Sequence, residues 1–265
     1  MIVVLVESFG NHANRMWQDA YLRAFCLSRG WAFVNPTVQN LWQSRRVENE
    51  IQGLLELLVY KTVRRMALWN VIIVHELRPG FPEWAEAQRT GLLFVQGWEF
   101  RDEEAVSSYR EKVLARFRID RSWKKSASAQ ALQLRSSAKH VVGVHVRRGD
   151  YRDWEGGKYF YSDAVYRRKI IEMETLLEGP VAFVVFSNEG LDERVFSSEA
   201  HRTTISKNPW QIDLLLMAEC DYLVGPPSTF TMWASFVGLV PTYQIRDPQI
   251  PVTMSEFLIY PQTGQ

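Results

Sequence analysis

Two adjacent arginines follow one of the most apolar runs of the sequence. Residues 141–146 read VVGVHV, and Arg147, Arg148 and then a Gly-Asp pair come directly after them. Side chains alternate along a strand, so Arg147 shares a face with His145 and Arg148 lies on the other face. A guanidinium is a rigid fork of donors that fits phosphate oxygens. The pattern predicts that Arg147 and His145 face a ligand and that Asp150 holds an arginine or its own loop, although a pair that only fixes a surface loop has the same pattern.

A second candidate anion site lies at GPPSTF, residues 225–230, where small and rigid residues end an apolar run. Ser228 and Thr229 stand where a helix is expected to begin. The first N–H groups of a helix have no intrahelical acceptor, and together with the helix dipole they attract anions. A Ser or Thr that simply caps the helix N-terminus gives the same sequence, so both interpretations stay open.

Asp213 is a carboxylate inside an apolar helical run, flanked by Ile212 and Leu214. Burying a carboxylate costs free energy unless donors surround it. It could accept two hydrogen bonds from the edge of a guanine base, or it could stand near the helix N-terminus as a favourable charge. The sequence alone leaves both interpretations open.

The loop SFGNHAN, residues 8–14, places polar side chains between a first strand and a first helix. Gly10, Asn11, His12 and Asn14 could contact a ligand there, and ordinary turn chemistry explains them as well. The loop has one glycine and no lysine, so it lacks the G-x-G-x-x-G fingerprint and the P-loop motif. NAD-dependent and ATPase-type chemistry therefore lose support.

No metal site is expected from the sequence. The histidines are scattered, and no H-x-x-x-H, C-x-x-C or D-x-D pattern is present that would hold a zinc ion or a divalent ion on a diphosphate. Cys26 and Cys220 each lie in an apolar helical pattern, which is typical of buried, reduced thiols. We therefore expect no metal cofactor and a reducing, cytoplasmic environment.

Alternating strands and helices must position these loops. The pattern predicts strands at 1–6, 71–75, 92–98, 140–146, 181–189 and, with its loop, 221–230, and helices at 16–29, 47–69, 103–119, 159–179, 210–220 and 231–239. Such alternation indicates an α/β fold with parallel sheets, whose ligands bind beyond the carboxyl ends of strands. Apolar patterning is weakest between residues 120 and 139, so we predict two domains, residues 1–125 and 126–265.

The overall charge is nearly balanced, with 31 Lys and Arg residues against 30 Asp and Glu residues. No overall field therefore draws the protein to nucleic acid or to an acidic membrane, and an anion site must be local. The N-terminus has no basic leader and no apolar run of about 18 residues, the length at which a transmembrane helix is expected. Peripheral membrane association and the oligomeric state stay open.

Four segments stand out when they are taken together: GNHANRMWQDA at 10–20, VQGWEF at 95–100, HVRRGDY at 145–151 and DLLLMAECDYLVGPPSTFTMWAS at 213–235. They resemble the superfamily of GT-B fucosyltransferases with α-1,2, α-1,6 and protein-O-linked activity, and most closely the bacterial α-1,2-fucosyltransferase family. The third is the most diagnostic, and the segments follow in the family's order across nearly the whole chain. SNE at 187–189 stands where the family commonly has S-D-D.

The resemblance implies a GT-B architecture of two facing Rossmann-like domains, with the acceptor on the N-terminal side and GDP-fucose held mainly by the C-terminal domain. Arg147 would hold the β-phosphate, and His145 and Asp213 would contact the guanine. Carried over by position, the donor-binding residues are His145, Arg147, Asp213, Ser228, Thr229 and Phe230, the acceptor-side loop is Gly10, Asn11 and His12, and the catalytic candidates are Arg147, Asn14, Asp150 and Glu7.

The activity implied by the resemblance is transfer of L-fucose from GDP-fucose to a glycan hydroxyl, with α-1,2 linkage, inversion and no metal ion. Glu7, Asp19 and Asp150 are the carboxylates that could take the acceptor proton, although a dissociative transition state needs no base. The expected partners are then a GDP-sugar and a glycan, and not a nucleic acid. Two alternatives stay open: a GT-B transferase that uses another GDP-sugar, and a non-catalytic module that binds a glycan or a nucleotide.

Overall fold

The chain contains two compact units. The computed structural model describes residues 1–35, 58–59, 61–78, 91–117, 119–196 and 202–262. The first unit consists of Met1–Asp120 and Pro261–Gln265, and the second consists of Arg121–Tyr260. Each unit is built on its own parallel sheet, and which substrate each unit binds stays a prediction.

The division lies at Asp120, whereas the sequence placed it between residues 125 and 126. The expected position falls inside a 15-residue helix, Arg121–Arg135, that belongs to the second unit. Its apolar pattern is weak because it buries only a narrow stripe, which consists of Ala127, Ala131 and Leu134. A helix with so polar an outer face has the weak apolar pattern that is also typical of a linker.

The first unit contains a four-stranded parallel sheet with strand order β2-β1-β4-β3. Its elements are β1 (Ile2–Leu5), α1 (His12–Ser28), β2 (Ala32–Val34), β3 (Val74–Glu76), β4 (Leu92–Gln96), α2 (Glu103–Ser108) and α3 (Arg110–Arg116), and residues 61–68 are also helical. The β-branched run of β1 suits a central strand that is covered on both faces. The turn after β1 therefore starts near the middle of the carboxyl edge of this sheet.

Helix α1 begins earlier than its apolar pattern indicates. The first helical residue is His12, and Asn11 takes the N-cap position with an extended backbone. The loop expected at residues 8–14 is therefore shorter than predicted. Of the polar side chains assigned to it, His12 and Asn14 lie on the first turn of the helix, where their positions are fixed by helical geometry.

The second unit contains a five-stranded parallel sheet with strand order β7-β6-β5-β8-β9. Its elements are α4 (Arg121–Arg135), β5 (His140–Val146), α5 (Asp163–Leu176), β6 (Val181–Ser187), α6 (Glu193–Phe196), β7 (Arg202–Ile205), α7 (Trp210–Met217), β8 (Tyr222–Gly225), α8 (Thr229–Gly238) and β9 (Thr242–Gln244), with 3₁₀ turns at Gly149–Arg152, Trp154–Gly157 and Met254–Glu256. β5 and β6 are buried along nearly their whole length, as strands covered on both faces are. The predicted α/β class with Rossmann-like parallel sheets is confirmed.

The strand order reverses between β5 and β8. From β5 the chain moves outward through β6 to β7, and it then returns to the other side of β5 to form β8 and β9. Such a reversal leaves a crevice at the carboxyl ends of the two strands, where α/β proteins bind ligands. Gly225 permits the close approach of the strands there, because a Cβ on it would lie 2.9 Å from the carbonyl oxygen of His145.

Several elements differ from the sequence-based expectation. The short strands β2, β7 and β9 were not predicted, and the helix expected at 103–119 is two helices that divide at Tyr109. The helix expected at 159–179 starts only at Asp163, because residues 159–162 are not helical and Ser162 takes the N-cap position with an extended backbone. Of the helix expected at 47–69, residues 61–68 are helical, and the part before residue 58 lies outside the described residues.

Among the residues that the structure describes, no helix is both long and apolar enough to cross a membrane. The 17 residues of α1 carry charged side chains along their length. The cytoplasmic location and peripheral membrane association stay predictions.

Candidate functional site

The two adjacent arginines after β5 make separate ion pairs. Nη2 of Arg147 lies 2.7 Å from Oδ1 of Asp150, and 21% of the arginine side chain is exposed. Arg148 pairs with Asp163 at the start of α5, and its Nε atom is buried with no hydrogen-bond partner among the described residues. Arg147 is therefore the arginine that is available to a ligand, and Arg148 ties the loop to a helix.

The loop after β6 holds the backbone of the arginine loop. Oδ1 of Asn188 accepts a hydrogen bond from the N–H of Arg148 at 2.9 Å, and its Nδ2 donates to the carbonyl oxygen of Arg148 at 3.2 Å. Oε1 of Glu189 accepts from the N–H of Gly149 at 2.9 Å. Gly149 has φ +60°, and a Cβ on it would lie 2.7 Å from Nδ2 of Asn188. The loops after these two neighbouring strands thus form one hydrogen-bonded unit.

Tyr151 connects Arg147 to the start of α8. Its hydroxyl donates to the carbonyl oxygen of Pro227 at 2.5 Å, and its ring centroid lies 5.5 Å from the guanidinium carbon of Arg147. Burial raises the pKa of this hydroxyl, while a hydrogen bond with Ser228 opposes the rise. The arginine and the helix N-terminus therefore lie close to one tyrosine side chain.

Ser228 is the N-cap residue of α8. Its Oγ accepts a hydrogen bond from the N–H of Phe230 at 3.3 Å, and the residue is buried. The capping interpretation of Ser228 is therefore correct, and Thr229 is the first helical residue. A capped helix start still presents its dipole to the crevice, so capping does not exclude an anion at this position.

His145 is buried against the same helix. Its Nδ1 lies 2.7 Å from Oγ1 of Thr231, and its ring packs at 5.7 Å from the ring of Phe230. Burial, together with the charge of Arg147, lowers the pKa of His145 to about 3. The imidazole is therefore neutral at physiological pH. We call His145, Arg147, Tyr151, Ser228, Phe230 and Thr231 the switch-point cluster.

Asp213 lies in the first turn of α7, after β7, with 8% of its surface exposed. Its Oδ1 accepts a hydrogen bond from Oγ of Ser206 at 2.5 Å. Burial raises the pKa of this carboxyl to about 6, and hydrogen bonds from Ser206 and Asn208 oppose the rise. Asp213 thus belongs to the same sheet edge as the switch-point cluster but sits in a polar network of its own.

In the first unit, Glu7 follows β1 and is held by amide side chains. Its Oε2 accepts from Nε2 of Gln96 at 2.7 Å, and its carbonyl oxygen accepts from Gln18 at 3.1 Å. Gly10 has φ +69°, and a Cβ on it would overlap the side chain of Asn14. Glu7, Gly10 and Asn14 therefore lie close along the chain around one tight turn.

The other loop residues of the first unit take different positions. Asn11 occupies the N-cap position of α1 without a side-chain capping bond. Burial, together with the charge of Arg15, lowers the pKa of His12. Oδ1 of Asp19 accepts from Asn35 at 2.9 Å, and its Oδ2 lies 2.8 Å from Arg23, with the carboxylate side chain fully buried. This geometry removes Asp19 from the carboxylates that could meet an acceptor hydroxyl.

Among the described residues, no group of three or more His, Cys, Asp or Glu side chains is arranged to hold a metal ion. Metal independence stays a prediction. Cys26 and Cys220 are buried free thiols, and burial raises the pKa of both. Neither thiol is therefore activated as a nucleophile.

Sequence reasoning missed several residues that shape this site. Thr231 bonds to His145, and Tyr151 bonds to the carbonyl oxygen of Pro227 next to Ser228. Asn188 and Glu189 bond to the backbone of Arg148 and Gly149, which follow Arg147. Two of them carried a signal: Asn188 and Glu189 follow a strand that neighbours β5 in a parallel sheet. The pairing of Thr231 with His145 depends on the packing of α8, which no spacing in the sequence reveals.

Residues 101–257 of the chain match the sequence model of glycosyl transferase family 11. The galactoside alpha-(1,2)-fucosyltransferase 1 of Homo sapiens is 30% identical to the chain over 166 residues, which cover 56% of this chain and 44% of the human protein. The chain thus spans less than half the length of the curated relatives it matches.

Two solved structures share the fold at low sequence identity. A mutant of Arabidopsis thaliana FUT1 in complex with GDP has a TM-score of 0.56 and 12% identity, covering 97% of this chain and 73% of its own. NodZ alpha-1,6-fucosyltransferase soaked with GDP-fucose has a TM-score of 0.54 and 14% identity, covering 91% and 94%. A second NodZ structure, of the fucosyltransferase from Bradyrhizobium, also shares the fold. At these identities the likeness concerns the fold.

Proposed function

The chain belongs to glycosyl transferase family 11, and we propose that it transfers L-fucose from GDP-fucose to a glycan hydroxyl in α-1,2 linkage, with inversion and without a metal ion. The relatives that are alpha-(1,2)-fucosyltransferases and the NodZ structure soaked with GDP-fucose support the choice of reaction and donor. The observation that carries the proposal is the link between Arg147 and the start of α8 through Tyr151.

The diphosphate would bind in the crevice at the switch-point cluster. Arg147 supplies a guanidinium there, and the N-terminus of α8 adds the positive end of a helix dipole. Asp150, whose side chain is 52% exposed, pairs with Arg147. An incoming phosphate can replace this carboxylate on Arg147, because the exposed aspartate side chain can rotate into solvent.

The base would be recognised by groups that carry no positive charge. His145 is neutral because burial lowers its pKa, and Phe230 presents an aromatic ring beside it. Asp213 would accept hydrogen bonds from the guanine edge, as the family resemblance implies. A neutral imidazole leaves Arg147 as the cation that the diphosphate meets in the cluster.

In the proposed reaction the acceptor oxygen attacks the anomeric carbon from the face opposite to the diphosphate. The bond from that carbon to the β-phosphate oxygen breaks, and its electron pair leaves with GDP. Negative charge then grows on this oxygen, where a preorganised guanidinium and helix dipole stabilise the transition state. The hydroxyl proton passes to a carboxylate or to water, and Glu7 is the candidate that stays accessible in the first unit.

The acceptor glycan is proposed to bind the first unit at the turn after β1. Gly10, Asn11, His12 and Asn14 provide polar groups on this turn and the start of α1. Amide and imidazole groups suit neutral sugar hydroxyls, since they both donate and accept hydrogen bonds. Asn14 is the catalytic candidate among them.

The test offers the protein GDP-fucose, GDP-mannose and ADP-linked sugar donors together with a galactoside acceptor, and measures nucleotide release and the linkage of the product. We expect release from GDP-fucose alone and an unchanged rate in excess chelator. Release from GDP-mannose alone would reject fucose, and activity that vanishes with chelator and returns with manganese would reject metal independence. GDP binding without release from any donor would support the non-catalytic alternative.

A further inference from the structure

A chain of hydrogen bonds holds the Asp213 carboxylate from within the second unit. Oγ of Ser206 donates to Oδ1 of Asp213 at 2.5 Å, and Nδ2 of Asn208 lies 3.0 Å from Oγ of Ser206. The N–H of Asn208 also donates to this hydroxyl oxygen, at 3.3 Å. The hydroxyl thus accepts from Asn208, so its single proton is directed to the carboxylate.

The amide of Asn208 is itself fixed by Gln130 on α4. Nδ2 of Asn208 donates to Oε1 of Gln130 at 3.0 Å, and Nε2 of Gln130 donates to Oδ1 of Asn208 at 3.3 Å. Nε2 of Gln130 also donates to Oγ of Ser126 at 3.2 Å. These bonds give both amides one orientation, since a flipped Asn208 amide would place its oxygen against the carbonyl of Gln130.

The hydrogen bonds of the network offset the burial of the carboxylate only in part. A buried carboxylate accepts several hydrogen bonds, and its pKa falls below the ordinary value where donors are sufficient. Here burial raises the pKa of Asp213 more than the hydrogen bonds from Ser206 and Asn208 lower it, and the pKa is about 6. A ligand that brings two adjacent N–H donors would satisfy this carboxylate, and the N1–H and 2-amino groups of guanine are such a pair.

We propose that Ser206, Asn208 and Gln130 are positioning residues, which fix the Asp213 carboxylate so that the second unit selects a guanine nucleotide over purine nucleotides that lack the 2-amino group. This inference rests on the proposed use of a GDP-linked donor. The inference goes beyond that function because it assigns base selectivity to three side chains that act through Asp213 and do not contact the base themselves.

The test measures the dissociation constants of GDP and of inosine diphosphate by calorimetry at pH 7.5. Inosine diphosphate has the same diphosphate and N1–H but no 2-amino group. We expect the intact protein to favour GDP, and Asn208→Ala to weaken GDP binding about 3- to 10-fold while it changes inosine diphosphate binding less. The ratio of the two constants is the decisive readout, because a general loss of folding would weaken both ligands alike.

Two further variants keep the test independent of folding. Ser206→Ala should lower the selectivity ratio, and Ser206→Thr, which keeps the hydroxyl, should restore it. Gln133→Ala is the matched control, because Gln133 lies one turn from Gln130 on α4 and shares with it the lining of a cavity of about 440 Å³. The control should keep both constants unchanged.

The outcomes separate this inference from the proposed function. If the intact protein does not bind GDP, the proposed function fails and the inference fails with it. If it favours GDP but Asn208→Ala and Ser206→Ala keep the same ratio as Gln133→Ala, the inference alone is overturned.

Discussion

The carboxyl edges of the two sheets are both formed by parallel strands, but the side chains described there carry opposite charges. In the first unit the turn after β1 carries Glu7, which amide groups of Gln96 and Gln18 hold. In the second unit the turn after β5 carries Arg147, which forms an ion pair with Asp150. The ring of Tyr151 packs near this arginine, and the tyrosine hydroxyl bonds to the chain just before α8. Parallel topology therefore decides where a ligand can bind, while the side chains at the strand ends decide which ligand charge fits.

The two edges also differ in how firmly the sheet supports them. β5 and β6 have seven residues each, and their loops are joined through Asn188 and Glu189. The strands of the first unit have three to five residues. If Arg147 stabilises charge on a leaving diphosphate, as proposed, it benefits from the firmer of the two edges, because the stabilisation then needs no reorganisation.

The largest effect is expected for Arg147→Ala. Loss of a preorganised donor to the leaving diphosphate should lower turnover about 10²- to 10³-fold. Arg152→Ala is the matched control, since Arg152 follows on the same loop and its exposed side chain packs on the ring of Phe160. Single-turnover rates of GDP release would measure the effect of both variants. Equal rates for the two variants would contradict the assignment of Arg147 to the diphosphate.

Arg148→Ala should act on stability rather than on chemistry. Removal of this arginine leaves Asp163 without its partner, so we expect the free energy of unfolding to fall by about 2 to 3 kcal/mol. Denaturant titration would measure this loss, with Arg147→Ala as the comparison. The division of roles between the two arginines is wrong if Arg148→Ala is as stable as the unmodified protein.

Glu7→Gln tests the chemistry of the first unit. If Glu7 takes the acceptor proton, kcat should fall about tenfold to 10²-fold and GDP affinity should stay the same. Glu76→Gln is the control, because this carboxylate also ends a strand of the first sheet but pairs with Arg78 on the surface. An unchanged kcat would show that the reaction needs no carboxylate at this position.

The smallest effect concerns pH and Asp213. A carboxyl with a pKa of about 6 is mostly ionised at pH 7 and mostly protonated at pH 5, and only the ionised form accepts from both guanine donors. GDP affinity should therefore fall about tenfold between these pH values. Asp213→Asn should weaken this dependence and leave only the part that comes from protonation of the terminal phosphate of GDP, whose pKa is also about 6. A profile that is the same in both proteins would contradict a role of Asp213 in base recognition.

Local sequence signals predicted the central elements well. The strand at 140–146 is observed at the expected residues, because a continuous apolar run bounded by charged residues has few alternatives. The α/β class followed from the alternation of strands and helices. The short edge strands β2, β7 and β9 were missed, since Ala32–Val34, Arg202–Ile205 and Thr242–Gln244 are held by neighbouring strands rather than by a pattern of their own.

The site was predictable only in part, for a related reason. Arg147 and Ser228 stand in recognisable motifs, so their positions were anticipated. The partners that orient Asp213 lie far apart in the sequence: Gln130 and Asn208 are 78 residues apart, yet they form a reciprocal pair. Only tertiary packing creates such contacts.

The bonds from Asn188 and Glu189 to the arginine loop have a thermodynamic consequence. A loop whose main chain is already held at Arg148 and Gly149 loses little conformational freedom when a ligand arrives. Most of the ordering cost then falls on the single side chain of Arg147. Calorimetry should accordingly find diphosphate association favoured by enthalpy, with only a small entropic penalty.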